Sequence, residues 1–82
     1  MAASQQDISL WFDRGVESNA THLIVVCDTF SYDDYPVYVG AEENVHQCIR
    51  EIGTQEMQRV MEVYNLKLPK QPQLDEVRSF NY

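Results

Sequence analysis

One short stretch of this chain concentrates tyrosines and carboxylates. Its members lie between positions 32 and 38 and are Tyr32, Asp33, Asp34, Tyr35 and Tyr38. Tyrosine has a large, rigid surface with a polar end, which suits protein recognition, and its ring can also stack on a nucleobase. The structural alternative is that these rings only shield a hairpin or pack against a helix. The sequence leaves both interpretations open.

A second set of candidate side chains is cationic and could bind a phosphate group. It comprises Arg14, His22, Arg50, Arg59 and Arg78. Arg14 and Arg59 lie next to the apolar stripes of predicted helices, so a symmetric interface would bring pairs of arginines around a small anion. Ordinary solvated arginines are the alternative at each position. We take Arg14, Arg59 and Arg78 as the candidate phosphate ligands.

Residue types that support catalysis or metal binding are present, but not at the required spacing. Asp28 follows an apolar run, as the nucleophile of phosphotransfer folds does, yet the phosphate loop and the additional ligands of those larger sheets are missing. The neighbouring acids lack EF-hand spacing. The spacing of His22, Cys27, His46 and Cys48 places these zinc-type ligands on different faces. We expect no enzyme activity, no metal and no cofactor.

The composition describes a small, acidic, globular protein. Its 82 residues carry thirteen acids against six bases, a net charge of −7, and 44% of them are hydrophobic. This length predicts a single domain, residues 1–82, and leaves open whether residues 69–82 dock on it or form a loose tail. Without a basic stripe the chain is not expected to bind a nucleic-acid backbone. It has neither a run of roughly 20 apolar residues nor a signal-peptide pattern, so we expect no membrane partner and a cytoplasmic location.

The elements that must position these side chains begin with an amphipathic helix. Ser4 and Asp7 form a capping-box pattern at its start. The apolar stripe that follows consists of Ile8, Trp11, Phe12, Gly15 and Val16. Gly15 on this stripe would let the helix lie close to a strand, and Asn19 suits the end of the helix.

The centre of the fold is predicted at the apolar run 23–27, with the sequence LIVVC. Apolar residues on both faces of a short strand require cover on both sides of the sheet. We predict this central strand at residues 21–30 and an antiparallel partner at 36–40, joined by the acidic turn that includes Pro36. Cys27 in the strand and Cys48 on a later helix are expected to be buried, reduced thiols.

The second half of the chain is predicted to be mainly helical. A second helix over residues 41–52 would stop at Gly53, and Thr54 would cap a third helix. The apolar stripe of this third helix consists of Met57, Val60, Met61 and Tyr64. Residues 66–68 alternate like a short edge strand, and the spacing of Leu74, Val77 and Phe80 predicts a closing helical turn.

The predicted fold class is α+β. A small two- or three-stranded antiparallel sheet, with its central hairpin at about 21–40, packs with three helices in the order α-β-β-α-α. A sheet of this size is marginal alone, and the central strand needs cover on its second face. Either the later helices or a second copy of the protein provides that cover. We expect a homodimer on this ground.

Residues 11–39, with the sequence WFDRGVESNATHLIVVCDTFSYDDYPVYV, resemble the core of a family of small bacterial and phage proteins of unknown function. The segments MQRVMEVYNL at 57–66 and RSFNY at 78–82 are similar to the same family. The family pattern has a glycine where this chain has Asn19, and both residues suit a left-handed helix end. The resemblance implies a prokaryotic or phage setting and an accessory role, such as antagonism of a host defence.

We expect a non-catalytic binding protein, with one leading function and two alternatives. In the first, it sequesters a small nucleotide-like signal, with tyrosines stacking on a base and Arg14, Arg59 or Arg78 contacting phosphate. In the second, it is an acidic inhibitor that docks its Tyr/Asp hairpin on a basic host protein. In the third, it is a structural subunit whose sheet face is covered by a partner. The small size favours the first, and the net charge of −7 favours the second.

Overall fold

The apolar run forms the central strand of a three-stranded antiparallel sheet in the computed structural model, which describes residues 3–76 and 78–82. The elements in chain order are α1 (Gln5–Glu17), β1 (His22–Asp28), β2 (Asp33–Val39), α2 (Val45–Thr54), β3 (Gln58–Asn65) and α3 (Lys70–Leu74). The strands lie side by side in the order β2-β1-β3. The α+β class, with three helices on a small antiparallel sheet, is confirmed. In the part of the chain described, no helix is long and apolar enough to cross a membrane.

Helices cover both faces of the central strand β1. The α1-side cluster consists of Ile8, Phe12, Ala20, Leu23, Val25, Tyr64, Leu66 and Leu74. The α2-side cluster consists of Ile24, Val26, Val39, Val45, Ile52 and Val63. The four central residues of β1, Leu23 to Val26, alternate between the two clusters and are at most 1% exposed, as the apolar run predicts. Helix α2 covers the second face of β1, so a second copy of the protein is not needed to bury that face. The homodimer remains a prediction.

Both ends of α1 follow from local sequence signals. The Ser4 hydroxyl accepts a hydrogen bond from the Asp7 N–H, and the Asp7 carboxylate accepts one from the Ser4 N–H, which completes the predicted capping box. Just past the helix, Asn19 is left-handed with a φ of 62°. Gly15 lies against the Tyr38 ring and Leu66, so the predicted close approach of α1 to a strand is confirmed.

The predicted third helix is wrong, because this segment forms strand β3. A β-bulge skips Met61 in the pairing of β3 with β1, which adds one residue to the strand. Val60 therefore packs against the α2-side cluster and Met61 against the α1-side cluster, and Val63 and Tyr64 repeat this division three residues later. A bulged strand that is covered on both faces reproduces the i, i+3, i+4 spacing of an amphipathic helix.

Helix α2 differs from its prediction at both ends. It begins at Val45 instead of residue 41, because the side chain of Asn44 caps it by accepting two backbone N–H groups of its first turn. It then continues through Gly53 and ends at Thr54. Neither Gly53 nor Thr54 has the predicted role of helix stop or helix cap, because both are helical.

The predicted edge strand at 66–68 is a turn, and the C-terminal segment pairs with β3 instead. Val77, part of the predicted closing helical turn, lies outside the described residues. The Val63 N–H donates to the Ser79 carbonyl at 2.7 Å, and the Asn81 N–H donates to the Val63 carbonyl at 2.9 Å. These bonds align the end of the chain parallel to β3, along the edge that faces away from β1.

Cys27 and Cys48 are free thiols, but both are half-buried, so the prediction that they lie fully in the core is wrong. Burial raises the pKa of each thiol, and the neighbouring carboxylates of Asp34 and Glu43 raise it further. Because the thiolate is the reactive form, neither cysteine has the character of an activated nucleophile.

Candidate functional site

The three predicted site tyrosines do not share one surface. Tyr35 and Tyr38 are three residues apart in β2 and lie on opposite faces of the sheet, against the α2-side and α1-side clusters respectively. The Tyr35 hydroxyl donates to Gln58 Oε1 at 2.6 Å, and the Tyr38 hydroxyl donates to the Trp11 carbonyl at 3.0 Å. Burial raises the pKa of both hydroxyls. These two rings connect elements of the fold, whereas Tyr32 is 70% exposed in the turn.

The two predicted aspartates also have different surroundings. Asp33 is exposed at the start of β2. Asp34 is half-buried and accepts a hydrogen bond from the Ala3 N–H at 2.9 Å, which attaches the segment before α1 to the sheet. Of the pair, Asp33 is the more exposed.

The three predicted arginines lie on three different parts of the fold. Arg14 is in the last turn of α1, Arg59 is in β3 opposite Cys27, and Arg78 follows α3. All three are exposed, and only Arg59 lies at the end of the sheet where β1 turns into β2. One copy of the chain therefore does not gather them into a phosphate site.

An exposed apolar patch, of which the sequence predicted only Tyr32, lies at this end of the sheet. It consists of Phe30, Tyr32 and Met57, which are 77%, 70% and 56% exposed, and we call it the hairpin-end patch. The Thr29 N–H donates to the Met57 carbonyl at 2.8 Å, which joins the β1–β2 turn to the start of β3. Large apolar side chains that are exposed together mark interaction surfaces more often than isolated ones do.

Tyr32 was among the predicted site residues, but the other two members of the patch were assigned to buried elements. Phe30 was placed in the central strand and Met57 on the stripe of a third helix, yet β1 ends at Asp28 and β3 begins at Gln58. The signal available in the sequence was Asp28, whose side chain accepts a hydrogen bond from the Phe30 N–H at 2.9 Å. This is the Asx-turn for which aspartate is favoured.

Two residues of the hairpin-end patch have a left-handed backbone. The φ angles of Tyr32 and Met57 are 59° and 64°. A residue with a Cβ atom adopts this conformation at a cost of about 1 kcal/mol or more relative to glycine, and such residues cluster at functional sites. The backbone of both loops is therefore held in a conformation that glycine would adopt more easily, while large side chains are retained there.

Carboxylates flank the hairpin-end patch. Asp28 and Asp33 are paired across the two strands that lead into the turn, and Glu56 directly precedes Met57. Asp33 and Glu56 are exposed, and Asp28 is half-buried. The patch thus combines an apolar centre with an acidic border, apart from Arg59 in β3.

Three shallow surface depressions, of about 270 to 430 Å³, lie elsewhere. Two are lined by residues of α2 and its approach, and the third lies between α1 and α3. None of the eight residues predicted to form a site lines any of them. Among residues 3–76 and 78–82, no group of three or more histidine, cysteine, aspartate or glutamate side chains is arranged to hold a metal ion.

His22 lies at the other end of β1, next to the C-terminal segment. Its Nδ1 atom is 2.9 Å from Thr21 Oγ1, while Nε2 is buried without a hydrogen-bond partner among the described residues. Burial lowers the pKa of His22, the nearby His46 lowers it further, and the backbone of Tyr82 acts in the opposite direction. The Tyr82 ring also packs on the His46 ring, with a centroid distance of 5.0 Å.

Protonation of His22 is expected to destabilise the fold. The folded pKa is below the unfolded value of 6.5, so the unfolded chain binds the proton more tightly. This contribution to stability is present above pH 6.5 and is lost as the pH falls through the folded pKa. We expect His22→Gln to unfold with a shallower loss of stability between pH 7 and 5 in urea titrations. An unchanged pH slope in His22→Gln would contradict the assignment.

Comparison with known proteins does not add a function to this geometry. No protein-family model matches the sequence, and neither a curated protein nor a solved structure matches the chain significantly.

Proposed function

We propose that this chain is a non-catalytic binding protein that docks on a basic surface of another protein through the end of its β1–β2 hairpin. The observation that carries the proposal is the hairpin-end patch, in which three large apolar side chains are more than half exposed. Aromatic residues and methionine are enriched in the buried centres of protein interfaces. The resemblance to small bacterial and phage proteins suggests that the partner is a host protein that this chain inhibits.

The charge of the chain determines the kind of partner. A net charge of −7, with Asp33 and Glu56 exposed beside the patch, favours a partner whose docking surface carries lysine and arginine. Complementary charge accelerates association and makes it dependent on salt, because exposed charges are screened over about 8 Å at physiological ionic strength. The same charge opposes binding to a nucleic-acid backbone.

Sequestration of a nucleotide-like signal has less support. Tyr35 and Tyr38 face opposite sides of the sheet with their hydroxyls hydrogen-bonded inside the fold, so neither offers a free ring face next to Tyr32. Arg59 and Tyr32 do share one end of the sheet, but the carboxylates there would repel phosphate. Isothermal titration calorimetry with nucleotides separates this alternative from protein binding.

Charge reversal at the hairpin end is expected to weaken the complex. The partner is first identified by affinity purification and native mass spectrometry from the natural host, and its dissociation constant is then measured with purified proteins. We expect Asp33→Lys combined with Glu56→Lys to raise Kd by about tenfold or more, and higher salt to weaken the wild-type complex. Asp34 is left unchanged because it binds the Ala3 N–H.

The matched control reverses two exposed charges at the opposite end of the sheet. Glu17 ends α1 and Glu42 lies in the loop between β2 and α2, so Glu17→Lys with Glu42→Lys changes the net charge equally but leaves the hairpin end intact. An equal loss of affinity in both double variants would mean that the overall charge of the chain matters and that the hairpin end has no special role. A partner that binds both variants and the wild type with one affinity, at any salt concentration, would remove the proposed function.

A further inference from the structure

We propose that the hairpin-end patch is a preformed apolar knob that inserts into an apolar cleft within the basic surface of the partner. The proposal rests on the proposed function and adds where its binding energy lies: in Phe30, Tyr32 and Met57 more than in the carboxylates around them. Binding energy in protein interfaces is concentrated in a few large side chains at the centre, while charged residues at the rim mainly affect the rate and the choice of partner.

The exposure of the three side chains supports an inserted knob. Each is more than half exposed. Phe30 is 77% exposed although the Asp28 side chain fixes its backbone N–H. Its ring therefore projects from an ordered turn, and a cleft that encloses it would remove most of its apolar surface from water.

The knob is held in place by hydrogen bonds on both sides. The Tyr32 N–H donates to the Asp28 carbonyl at 2.6 Å, and the Thr29 N–H donates to the Met57 carbonyl at 2.8 Å. The Tyr35–Gln58 bond connects β2 to β3 across the central strand just below the turn. A contact surface that is ordered before binding loses little conformational entropy when the complex forms, which favours high affinity from a small area.

The left-handed backbone of Tyr32 and Met57 is the independent observation. Glycine would relieve the strain at both positions, yet the chain has its three glycines elsewhere. Strain at two joined loops, both bearing exposed apolar side chains, is accounted for when those side chains are needed for contact.

The carboxylates around the hairpin-end patch indicate which kind of molecule binds there. A second copy would bring the same carboxylates, Asp28, Asp33 and Glu56, against one another, and an anionic lipid surface would repel them. An apolar cleft bordered by lysine or arginine is complementary to the apolar centre of the patch and to the carboxylates at its border. We therefore infer a protein partner with this combination of surfaces.

Photocrosslinking in the natural host tests the occupant. Phe30 is replaced by benzoylphenylalanine, and the control is the same replacement at Leu10, which is 49% exposed on α1. We expect an adduct from position 30 only, and the crosslinked peptide of the partner should contain apolar residues adjacent to lysine or arginine. An adduct with a second copy of the chain, or no adduct at position 30, would overturn the proposal.

Glycine substitution separates binding from folding. We expect Tyr32→Gly and Met57→Gly to keep or raise the melting temperature, because the backbone strain is relieved, and to raise Kd for the captured partner by about tenfold each. Leu10→Ala, which removes exposed apolar surface from α1, should leave Kd unchanged. A clear fall in melting temperature in both glycine variants would contradict the strain argument.

The two sets of variants distinguish the two proposals. If charge reversal at Asp33 and Glu56 weakens binding while the glycine variants bind normally, the apolar knob is wrong and the acidic docking surface stands. If the glycine variants lose affinity and charge reversal has no effect, the hairpin end is the contact surface, but a basic partner, and with it a cleft within a basic surface, is wrong. If neither set changes Kd, the hairpin end is not the contact surface and both proposals fail.

Discussion

Replacing Gln73 by leucine is expected to lower the free energy of unfolding by about 2–4 kcal/mol, although leucine is apolar and similar in volume. Gln73 is only 3% exposed, and its amide group satisfies the backbone of the turn after β3. Oε1 accepts from the Asn65 N–H at 2.7 Å, and Nε2 donates to the carbonyls of Asn65 and Pro69 at 2.8 and 2.9 Å. Leucine would leave these polar groups without partners, which costs more than the lost hydrogen bonds alone.

The C-terminal segment depends on the same residue. The Ser79 hydroxyl is completely buried and donates to the Gln73 carbonyl at 2.6 Å, and the Ser79 carbonyl in turn accepts from β3. A displaced α3 would therefore also release the segment that covers the outer edge of β3. We expect amide hydrogens of Val63 and Asn81 to exchange faster in Gln73→Leu than in the wild type.

Two controls make this prediction specific. Gln71→Leu changes the same residue type in the same short helix, where the side chain is exposed and donates to the Asp75 carboxylate, so it should cost less than about 1 kcal/mol. Gln73→Glu keeps the acceptor but places a carboxylate against carbonyls, so its deficit should shrink as acid protonates it. A value for Gln73→Leu within about 0.5 kcal/mol of the wild type in urea titrations would contradict the prediction.

The elements that the sequence predicted correctly are those with complete local signals. The capping box of Ser4 and Asp7 and the left-handed Asn19 delimit α1 within a few residues of chain. The run 23–27 identifies β1 as a strand covered on both faces, because no amphipathic helix or half-exposed strand has that pattern. In both cases the deciding interactions lie within the segment itself.

Strand β3 was misassigned because its pattern depends on pairing with another strand. The bulge at Met61 shifts the alternation by one residue, so Val60 and Val63 face α2 while Met61 and Tyr64 face α1. In a single sequence this spacing cannot be distinguished from that of an amphipathic helix. The bulge is defined by how β3 pairs with β1. This pairing joins residues far apart in the sequence, so a local sequence pattern does not reveal it.

The candidate site was predicted in part for a related reason. Tyr32 and Asp33 do lie at the exposed hairpin end, whereas Tyr35 and Tyr38 are directed to opposite faces by the period of the strand. The patch also draws on Met57, far along the sequence from Phe30, because the Thr29–Met57 hydrogen bond joins the β1–β2 turn to the start of β3. The composition of residues 32–38 could identify the turn, but it could not show that Met57 at the start of β3 lies next to it.

Gly15→Ala and Gly53→Ala are expected to change stability in opposite directions, although both replace a glycine inside a helix. Alanine normally stabilises such positions by about 0.5–1 kcal/mol, because glycine loses more backbone entropy on folding. Nothing lies within 4 Å of the position that a Cβ atom would take at Gly53, so this gain should be realised there. At Gly15 the new atom would lie 2.5 Å from Leu66 Cδ1 and 3.1 Å from the Tyr38 ring.

The clash at Gly15 cannot be relieved cheaply, so we expect Gly15→Ala to cost about 1–3 kcal/mol. Leu66 is buried in the α1-side cluster, and the Tyr38 ring is held by the bond from its hydroxyl to the Trp11 carbonyl. Either α1 moves away from the sheet and breaks that bond, or Leu66 displaces its neighbours in the core. Thermal and urea unfolding of the two variants measure both effects against the wild type. Equal stabilisation by both alanines would mean that α1 does not approach the sheet as closely as Gly15 allows.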